Sequence, residues 1–314
     1  GLLDTGFGLG NFEDNDLGVR LANAGYDNVL CHNSFIFHLG NESFNRNKLD
    51  YTARMTENEA FFHGKWGFSP MECTPVSQEA VDMIASRETA KQSAPASQQS
   101  TNPSAPASQQ STNPSAPAEI LEIGCRTGNT LAHLKYLYPA ANVRGTEASG
   151  ELCKLAARKV DVLPINPAND TLPFEPGTMD YVLIFNSLEE VMNPDRLLEL
   201  AIPLLKPDGR ILLGCHNFGN ISVLHKLVSG SFAYEKDGIM SHRHLHHFTF
   251  NDLLDLFERH RLIPEGDVFT QVNRPYSTAV EPYRSLYESI KKLPGTAPGE
   301  SFDIYRFAFM LRKA

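Results

Sequence analysis

Apolar and polar positions alternate along residues 119–314 in a way that predicts strands and helices in turn. Short apolar runs predict seven strands, at 119–123, 143–147, 160–164, 179–185, 210–216, 265–272 and 302–311. Apolar residues at helical spacing predict five helices between them, near 129–138, 149–158, 194–205, 220–229 and 250–260. This alternation is typical of an α/β domain whose helices cover both faces of a mostly parallel sheet.

A low-complexity segment separates this domain from the first part of the chain. Residues 93–103 and 104–114 both read SAPASQQSTNP, and SAPA ends the run at residue 118. The repeat has no aromatic, charged or large aliphatic side chain, so it cannot bury enough apolar area to offset chain entropy. We therefore expect a first segment at 1–75, a connecting segment at 76–92, a disordered linker at 93–118 and a second domain at 119–314.

Composition narrows the possible partners and the cellular setting. The 28 Lys and Arg residues face 37 Asp and Glu residues, and the net charge of −9 gives no electrostatic footprint for nucleic acid. Five scattered cysteines predict neither a disulfide framework nor a metal site, which favours a reduced, cytoplasmic location. No apolar run is long enough for a membrane span. Because the chain begins with Gly1 inside an apparent motif, we expect further sequence before it.

The most informative motif is ILEIGCRTGNTLAHL at 120–134. Its apolar run reaches Glu122, a turn bearing Gly124 and Gly128 follows, and leucines then recur at helical spacing. Strand, tight turn and helix N-terminus together let backbone N–H groups approach a nucleotide-like ligand. Glu147, 19 residues past Gly128, ends the next predicted strand, where an acid can accept hydrogen bonds from both ribose hydroxyls of an adenosine. The glycine spacing does not match the G-x-G-x-x-G pattern of NAD sites.

The loop resembles the E-x-G-x-x-x-G loop of class I S-adenosylmethionine (SAM)-dependent methyltransferases. The resemblance continues in order through LPFEPGTMDYVLIFNSLEEVMNP (172–194), LLKPDGRILLGCHN (204–217) and HLHHFTFNDLLDLFERHRL (244–262). It implies a Rossmann-like, seven-stranded methyltransferase domain with SAM as its cofactor. It also implies a set of cofactor-binding residues: Glu122, Gly124, Cys125, Gly128, Glu147, Asn169 and Asn186.

The sequence departs from this family pattern at three places. Arg126 stands where a middle glycine is usual, so its side chain must point outward or crowd the ligand. Asn166-Pro167-Ala168 replaces a common Gly-Asp-Ala segment, and Glu190 follows Glu189 where Glu-His is frequent. These departures keep a second hypothesis open, that of a non-catalytic scaffold module with the same fold.

Methyl transfer to oxygen benefits from a base, and histidines are the candidates. We predict His216, His244 and His247 as catalytic residues, from a set that also includes His242 and His246. A metal cluster in HRHLHH is a weaker interpretation, because no Cys or carboxylate lies at ligand spacing in the sequence. Plain loop histidines, one of them capping the following helix, are a further alternative, and Thr249 is the expected N-cap.

The first segment, GFGLGNFEDNDLGVRLANAGYDNVLCHNSFIFHLGNESF, resembles the C-terminal part of family 2 glycosyltransferases. The match implies a partial GT-A-type α/β fold, Asp14 as the general base and His38 as a tentative metal or diphosphate contact. A nucleotide-sugar donor and a divalent metal, Mn or Mg, are expected only for a full-length chain, because the nucleotide-binding half is absent. Residues 51–68 predict a terminal helix whose Phe61, Phe62 and Trp66 pack back on the domain.

Together these patterns predict a SAM-dependent methyltransferase fused to a truncated nucleotide-sugar glycosyltransferase. The expected acceptor is a small molecule or a glycan, in surface-polysaccharide or glycoprotein assembly. The alternative is a non-catalytic scaffold attached to a glycosyltransferase whose glycosyl transfer is the main activity of the full-length protein.

Overall fold

The computed structural model describes residues 2–8, 10–26, 50–93, 119–185, 187–295 and 299–314. Its centre is an eight-stranded sheet in the order β3-β2-β1-β4-β5-β8-β6, with β7 also paired to β8. The strands are β1 Glu119–Ile123, β2 Asn142–Thr146, β3 Asp161–Leu163, β4 Met179–Ile184, β5 Leu205–His216, β6 Leu262–Pro264, β7 Phe269–Val272 and β8 Ile304–Lys313.

The first five strands run parallel, whereas β8 is antiparallel to β5, and β6 and β7 are antiparallel to β8. The sheet is therefore mixed, and the single predicted strand at 265–272 is wrong. Gly266, at φ +71°, lies in the bend that separates β6 from β7. The two short strands pair with successive parts of one edge of β8, Pro264 opposite Leu311 and Phe269 opposite Ala308.

Ten α-helices are present in the described part of the chain, and the five predicted in the second domain are confirmed with shorter ends. They are α1 Glu13–Asn23, α2 Tyr51–Trp66, α3 Gln78–Ser93, α4 Asn129–Leu137, α5 Gly150–Ala156, α6 Pro194–Ala201, α7 Ile221–Val228, α8 Phe250–Arg259, α9 Tyr283–Ile290 and α10 Gly299–Asp303. No described helix is long and apolar enough to cross a membrane.

Most residues of β1, β4 and β5 are buried on both faces of the sheet, which explains the nearly continuous apolar runs in these segments of the sequence. In β4, Val182 and Ile184 enter one core layer, and Tyr181 and Leu183 enter the other. The first layer packs against α6 and α8, and the second against α3 and α4. Both layers hold the carboxyl ends of β1, β2 and β4 at one edge of the sheet, where ligands bind in such folds.

Helix α3 occupies the segment predicted as a connection between domains. Its Ala80, Val81 and Ile84 are buried in the second core layer, so this segment contributes to the sheet domain's core. Residues 94–118, which carry the rest of the repeat, lie outside the described residues. The division of the chain into domains at these boundaries stays a prediction.

The first segment packs on α5 rather than standing apart. Phe7, Phe12 and Phe62 share an apolar cluster with Leu152 and Leu155 of α5. The predicted helix at 51–68 is present at Tyr51–Trp66, with Phe62 fully buried and Trp66 packed against the same cluster. Phe61 is 43% exposed and packs edge-on against Phe7 at 4.9 Å between ring centroids.

Candidate active site

The loop between β1 and α4 forms a tight turn because two of its glycines adopt positive φ. Gly124 has φ +74°, and Gly128, the N-cap of α4, has φ +71°. The backbone N–H groups of Gly124 and Cys125 both donate to the carbonyl oxygen of Thr146 at 2.9 Å, which ties the turn to the end of β2. The predicted strand, turn and helix are therefore present, with the turn at the carboxyl edge of the sheet.

Gly124 also meets a steric requirement. A Cβ at this position would lie 2.0 Å from Ser187 Oγ, whose hydroxyl donates to the Ile123 carbonyl at 2.7 Å. We expect Gly124→Ala to lower the free energy of unfolding by about 3 kcal/mol or more, from left-handed backbone strain plus overpacking. Denaturant unfolding measures this loss.

Gly177→Ala is the matched control, because Gly177 has φ +72° but open space within 4 Å of the added Cβ. Gly177→Ala should lose only the free energy of unfolding that comes from left-handed backbone strain, about 1–2 kcal/mol. Equal losses in the two variants would show that contact with Ser187 is unimportant.

Glu122 lies at the end of β1, 1% exposed, with its Oε2 buried and without a hydrogen-bond partner in the described structure. Burial, and then the nearby charge of Glu147, raise the pKa of Glu122 to about 8. Buried carboxylate oxygens are normally hydrogen-bonded, so an unpartnered one beside a glycine turn is a place where a cationic ligand group would be stabilised.

Glu147 follows β2 and accepts two backbone hydrogen bonds. Its Oε2 accepts from Arg126 N at 2.8 Å and its Oε1 from Ser149 N at 2.9 Å. The carboxylate is 5% exposed and lies in the wall of a cavity. Because each carboxylate oxygen can accept more than one hydrogen bond, capacity for ligand hydroxyls remains.

The Arg126 side chain is buried, although its backbone has the positive φ that a glycine would adopt more easily. Arg126 has φ +54°, and its buried guanidinium pairs with Glu72 Oε1 at 3.0 Å and with Glu190. Glu190 in turn accepts from Arg243 Nε at 3.1 Å. The arginine therefore links the first segment of the chain to the loop after β4 along the cavity wall.

The cavity bounded by this loop has a volume of about 330 Å³. Gly124, Glu147 and Arg126 form one side, and the segment 165–168, whose Ile165 and Pro167 are buried, forms another. Asn169, predicted to reach the adenine edge, is exposed and does not line this cavity. Asn186, predicted at the methionine end, lies outside the described residues.

Cys125 is buried away from this cavity. A Cβ on Gly145 would lie 2.7 Å from its Sγ, so the thiol fills the space beside β2 within the second core layer. Burial raises the pKa of the Cys125 thiol. Any contact of Cys125 with a ligand in the cavity would therefore come from its backbone.

Two of the three predicted catalytic histidines meet around a carboxylate that sequence reasoning did not single out. His216 Nδ1 lies 3.0 Å from Glu189 Oε1, and His244 Nδ1 lies 3.7 Å from the same oxygen. Burial alone would raise the pKa of Glu189, but the interactions with His216, His244 and Arg306 lower it to about 2. Glu189 is thus a buried carboxylate held in its charged form.

His247 lies at the edge of this cluster. Its ring centroid is 6.2 Å from that of His244, and its ring stacks on Phe218 at 4.5 Å. Its Nε2 is buried without a hydrogen-bond partner among the described residues, and burial lowers the pKa of the imidazole. Thr249 caps α8 as predicted, in a capping box with Asp252.

The loop at 187–192 joins the cavity to the histidine cluster. Glu190 lines the cavity, and the adjacent Glu189 contacts His216 and His244. The sequence offered no local signal for Glu189, because its partners are 27 and 55 residues away. The Glu72 contact to Arg126, 54 residues away, was missed for the same reason.

Of the residues predicted for glycosyl transfer, Asp14 lies exposed in the first turn of α1, its Oδ1 accepting from Asn15 N at 2.8 Å. It lines a separate cavity of about 690 Å³ together with Arg158 and Lys159. His38 lies outside the described residues.

A family model described as a methyltransferase domain matches residues 121–213. An uncharacterized 37.1 kDa protein in a Streptomyces fradiae transposon is 29% identical over 121 residues, 37% of this chain and 35% of that protein. An uncharacterized protein of Methanocaldococcus jannaschii is 32% identical over 94 residues, 30% of this chain and 42% of that protein. The chain thus spans well under half the length of these curated relatives.

Two solved structures with a similar arrangement are described as SAM-dependent methyltransferases. One from Thermotoga maritima, described as a possible histamine N-methyltransferase, is 20% identical with a TM-score of 0.43, covering 62% of this chain and 82% of its own. One from Aquifex aeolicus is 13% identical with a TM-score of 0.40, covering 62% and 81%. The family match and the strand order together define an α/β Rossmann-like methyltransferase fold with a mixed sheet.

Proposed function

We propose that residues 119–314 form a SAM-dependent methyltransferase whose cofactor occupies the cavity of about 330 Å³ beside Gly124. The observation that carries the proposal is the placement of Glu147 and the Gly124 turn in one cavity, at the carboxyl ends of β1 and β2. This edge is where doubly wound α/β sheets bind nucleotide ligands. The methyltransferase-domain match over residues 121–213 supports the same function.

The residues present fit the cofactor's groups. Glu147 suits the ribose hydroxyls, and the apolar Ile165 and Pro167 suit the faces of the adenine. Glu122 does not line the cavity but lies two residues before Gly124, which does, and we assign its unpartnered Oε2 to the methionine ammonium. Bound SAM supplies a methyl group on a sulfonium that is already activated. The chain's own contribution is to fix the acceptor in line with that methyl group and to exclude water from the cavity.

We place the methyl acceptor in a second cavity of about 400 Å³, near the histidine cluster. Tyr305 lines it and packs edge-on against His216 at 5.5 Å, and Ile239, whose carbonyl contacts His244 Nδ1, lines it as well. Tyrosines 276 and 283, with Lys226, add aromatic and charged walls. Aromatic faces with polar groups suit a polar acceptor, and we propose a small molecule or a glycan.

The glycan assignment rests on the resemblance of residues 1–75 to family 2 glycosyltransferases. In a full-length chain, Asp14 would serve as the base toward the sugar acceptor, with a nucleotide-sugar donor and a divalent metal. A cytoplasmic location follows from the same pathway assignment and from the scattered cysteines. These elements stay predictions.

A non-catalytic scaffold is the second candidate, and the ion pairs of Arg126 favour it. The guanidinium crosses from Glu72 to Glu190 along the cavity wall, where it reduces the room for a ligand. A scaffold would retain this arrangement and bind no cofactor.

Thermal unfolding with and without SAM or S-adenosylhomocysteine (SAH) distinguishes the two candidates. Since a ligand that binds only the native state must stabilise it, we expect a higher melting temperature at millimolar SAH, and a smaller shift with adenosine, which lacks the ammonium assigned to Glu122. An unchanged melting temperature with SAM and with SAH would contradict the methyltransferase proposal and favour the scaffold.

A further inference from the structure

We propose that Glu189, His216 and His244 form a binding site for a divalent transition-metal ion. Each residue offers one ligand atom, and these atoms lie within 4.8 Å of one another. The three residues come from the loop after β4, the end of β5 and the loop before α8, so the fold alone brings them together. The site is separate from the cofactor cavity and does not depend on the proposed methyl transfer.

The separations suit a metal polyhedron. Ligands bound at 2.0–2.1 Å in a tetrahedron lie about 3.3–3.4 Å apart along each edge. The observed distances from Glu189 Oε1, 3.0 Å to His216 Nδ1 and 3.7 Å to His244 Nδ1, lie on either side of that value. The ligand atoms of His216 and His244 lie within 4.8 Å of each other. Ligation through His244 Nδ1 would replace its contact with the Ile239 carbonyl at 3.1 Å.

The cluster is also held in place by surrounding backbone groups. The Glu189 carbonyl accepts from Leu245 N at 2.7 Å and His246 N at 3.1 Å, which fixes the histidine loop against the loop after β4. The backbone N–H of His216 donates to Glu189 Oε1 at 3.1 Å. Such outer contacts orient metal ligands and raise affinity.

Access for an ion comes from the His216 side. The His216 side chain is 21% exposed, whereas those of Glu189 and His244 are 7% and 5% exposed. Three protein ligands with one accessible side leave a position open for water or for a substrate oxygen. The nearby cavity beside Tyr305 could deliver such an oxygen.

The donor set selects the class of metal. Two imidazoles and one carboxylate suit Zn²⁺, Co²⁺ or Fe²⁺, whereas Mg²⁺ prefers oxygen ligands and keeps its waters. Ligation would use the ring nitrogens of His216 and His244, so it replaces the general-base role predicted for these two residues.

Titration of untagged, chelator-treated protein with Co²⁺, followed by the visible absorption of the bound ion, tests the proposal. We expect one Co²⁺ per chain, displaced by Zn²⁺ and not by Mg²⁺. His216→Asn and His244→Asn should each weaken Co²⁺ binding by about 100-fold or more, because loss of even an outer-shell partner costs about 10–100-fold.

His242→Asn is the matched control, since His242 belongs to the same HRHLHH run but is exposed and lies outside the cluster. It should leave Co²⁺ affinity unchanged. Circular dichroism checks that each variant folds. If His244→Asn does not fold, His216→Asn still tests the proposal, because His216 is the more exposed ligand. Absence of Co²⁺ binding, unchanged affinity in His216→Asn, an equal loss in His242→Asn, or displacement by Mg²⁺ would each overturn the proposal.

Discussion

Replacement of Glu147 by Gln is expected to weaken SAH binding by about 100-fold or more, because each hydrogen bond to a charged group is worth about 1.5–3 kcal/mol. The proposed contacts are from both ribose hydroxyls to the Glu147 carboxylate. The amide also presents an N–H to one of the backbone donors, Arg126 N or Ser149 N, that the carboxylate now accepts. The turn would lose a hydrogen bond together with the ligand contact.

Isothermal titration with SAH measures this loss. Glu151→Gln is the control, since Glu151 lies in the first turn of the adjacent α5 and pairs only with Lys154 near the surface among the described residues. Its variant should bind SAH with the affinity of the parent protein. If Glu147→Gln binds SAH as tightly as the parent does, Glu147 is not the ribose contact.

The second large effect is a dependence of stability on pH that comes from Glu122. Burial first, and then the charge of Glu147, raise the pKa of Glu122 from 4.5 to about 8 in the folded protein. Below about pH 4.5 the carboxyl is protonated in both the folded and the unfolded state, so it does not disfavour folding. Between 4.5 and about 8, only the unfolded state readily loses the proton, so stability falls as pH rises.

The expected slope in the middle of this window is about 1.4 kcal/mol per pH unit. Glu122→Gln has a neutral side chain of the same shape at every pH, so it should remove this slope. The variant should match the parent near pH 5 and exceed its free energy of unfolding near pH 8. Urea unfolding at a series of pH values measures both.

Glu119→Gln, on the same strand, is the control, because Glu119 is partly exposed and paired with Arg144 at 2.7 Å. It should keep the pH slope of the parent protein. Parallel pH profiles for the parent and Glu122→Gln would show that the buried carboxyl does not titrate in this range.

The Glu122 carboxyl should also release a proton when SAH binds. An ammonium placed on Glu122 would favour the charged carboxylate, so SAH binding near pH 6.5 should release up to one proton to the buffer. Titration in two buffers of different ionisation enthalpy measures that release. Glu122→Gln should show none, and an equal release in both proteins would place the ammonium elsewhere.

Much of the fold was predictable because its signals are local. Strands buried on both faces leave apolar runs, and the helices between them keep apolar residues at helical spacing. The turn at Gly124 and Gly128 was predictable for the same reason, because both glycines lie within one short motif. The split between β6 and β7 could not, since it depends on pairing with β8, some 40 residues further along the chain.

Site residues were predictable from the sequence only where a single local motif contains them. Gly124 and Glu147 line the cavity, and their cofactor contacts stay predictions; residues 165–168 also line it, whereas Asn169 does not. The partners of Arg126 and the carboxylate between His216 and His244 arise from contacts between distant segments. The core contacts of helix α3 were not predicted, because its apolar residues face a sheet that follows it in sequence.

The central claim is that the cavity beside Gly124 binds SAM, and a crystal structure with SAH tests it most directly. The account predicts SAH in this cavity, with its ribose hydroxyls on Glu147, its ammonium on Glu122 and its adenine against Ile165 and Pro167. SAH bound elsewhere on the chain, or a cavity without SAH in crystals grown at millimolar SAH, would contradict it.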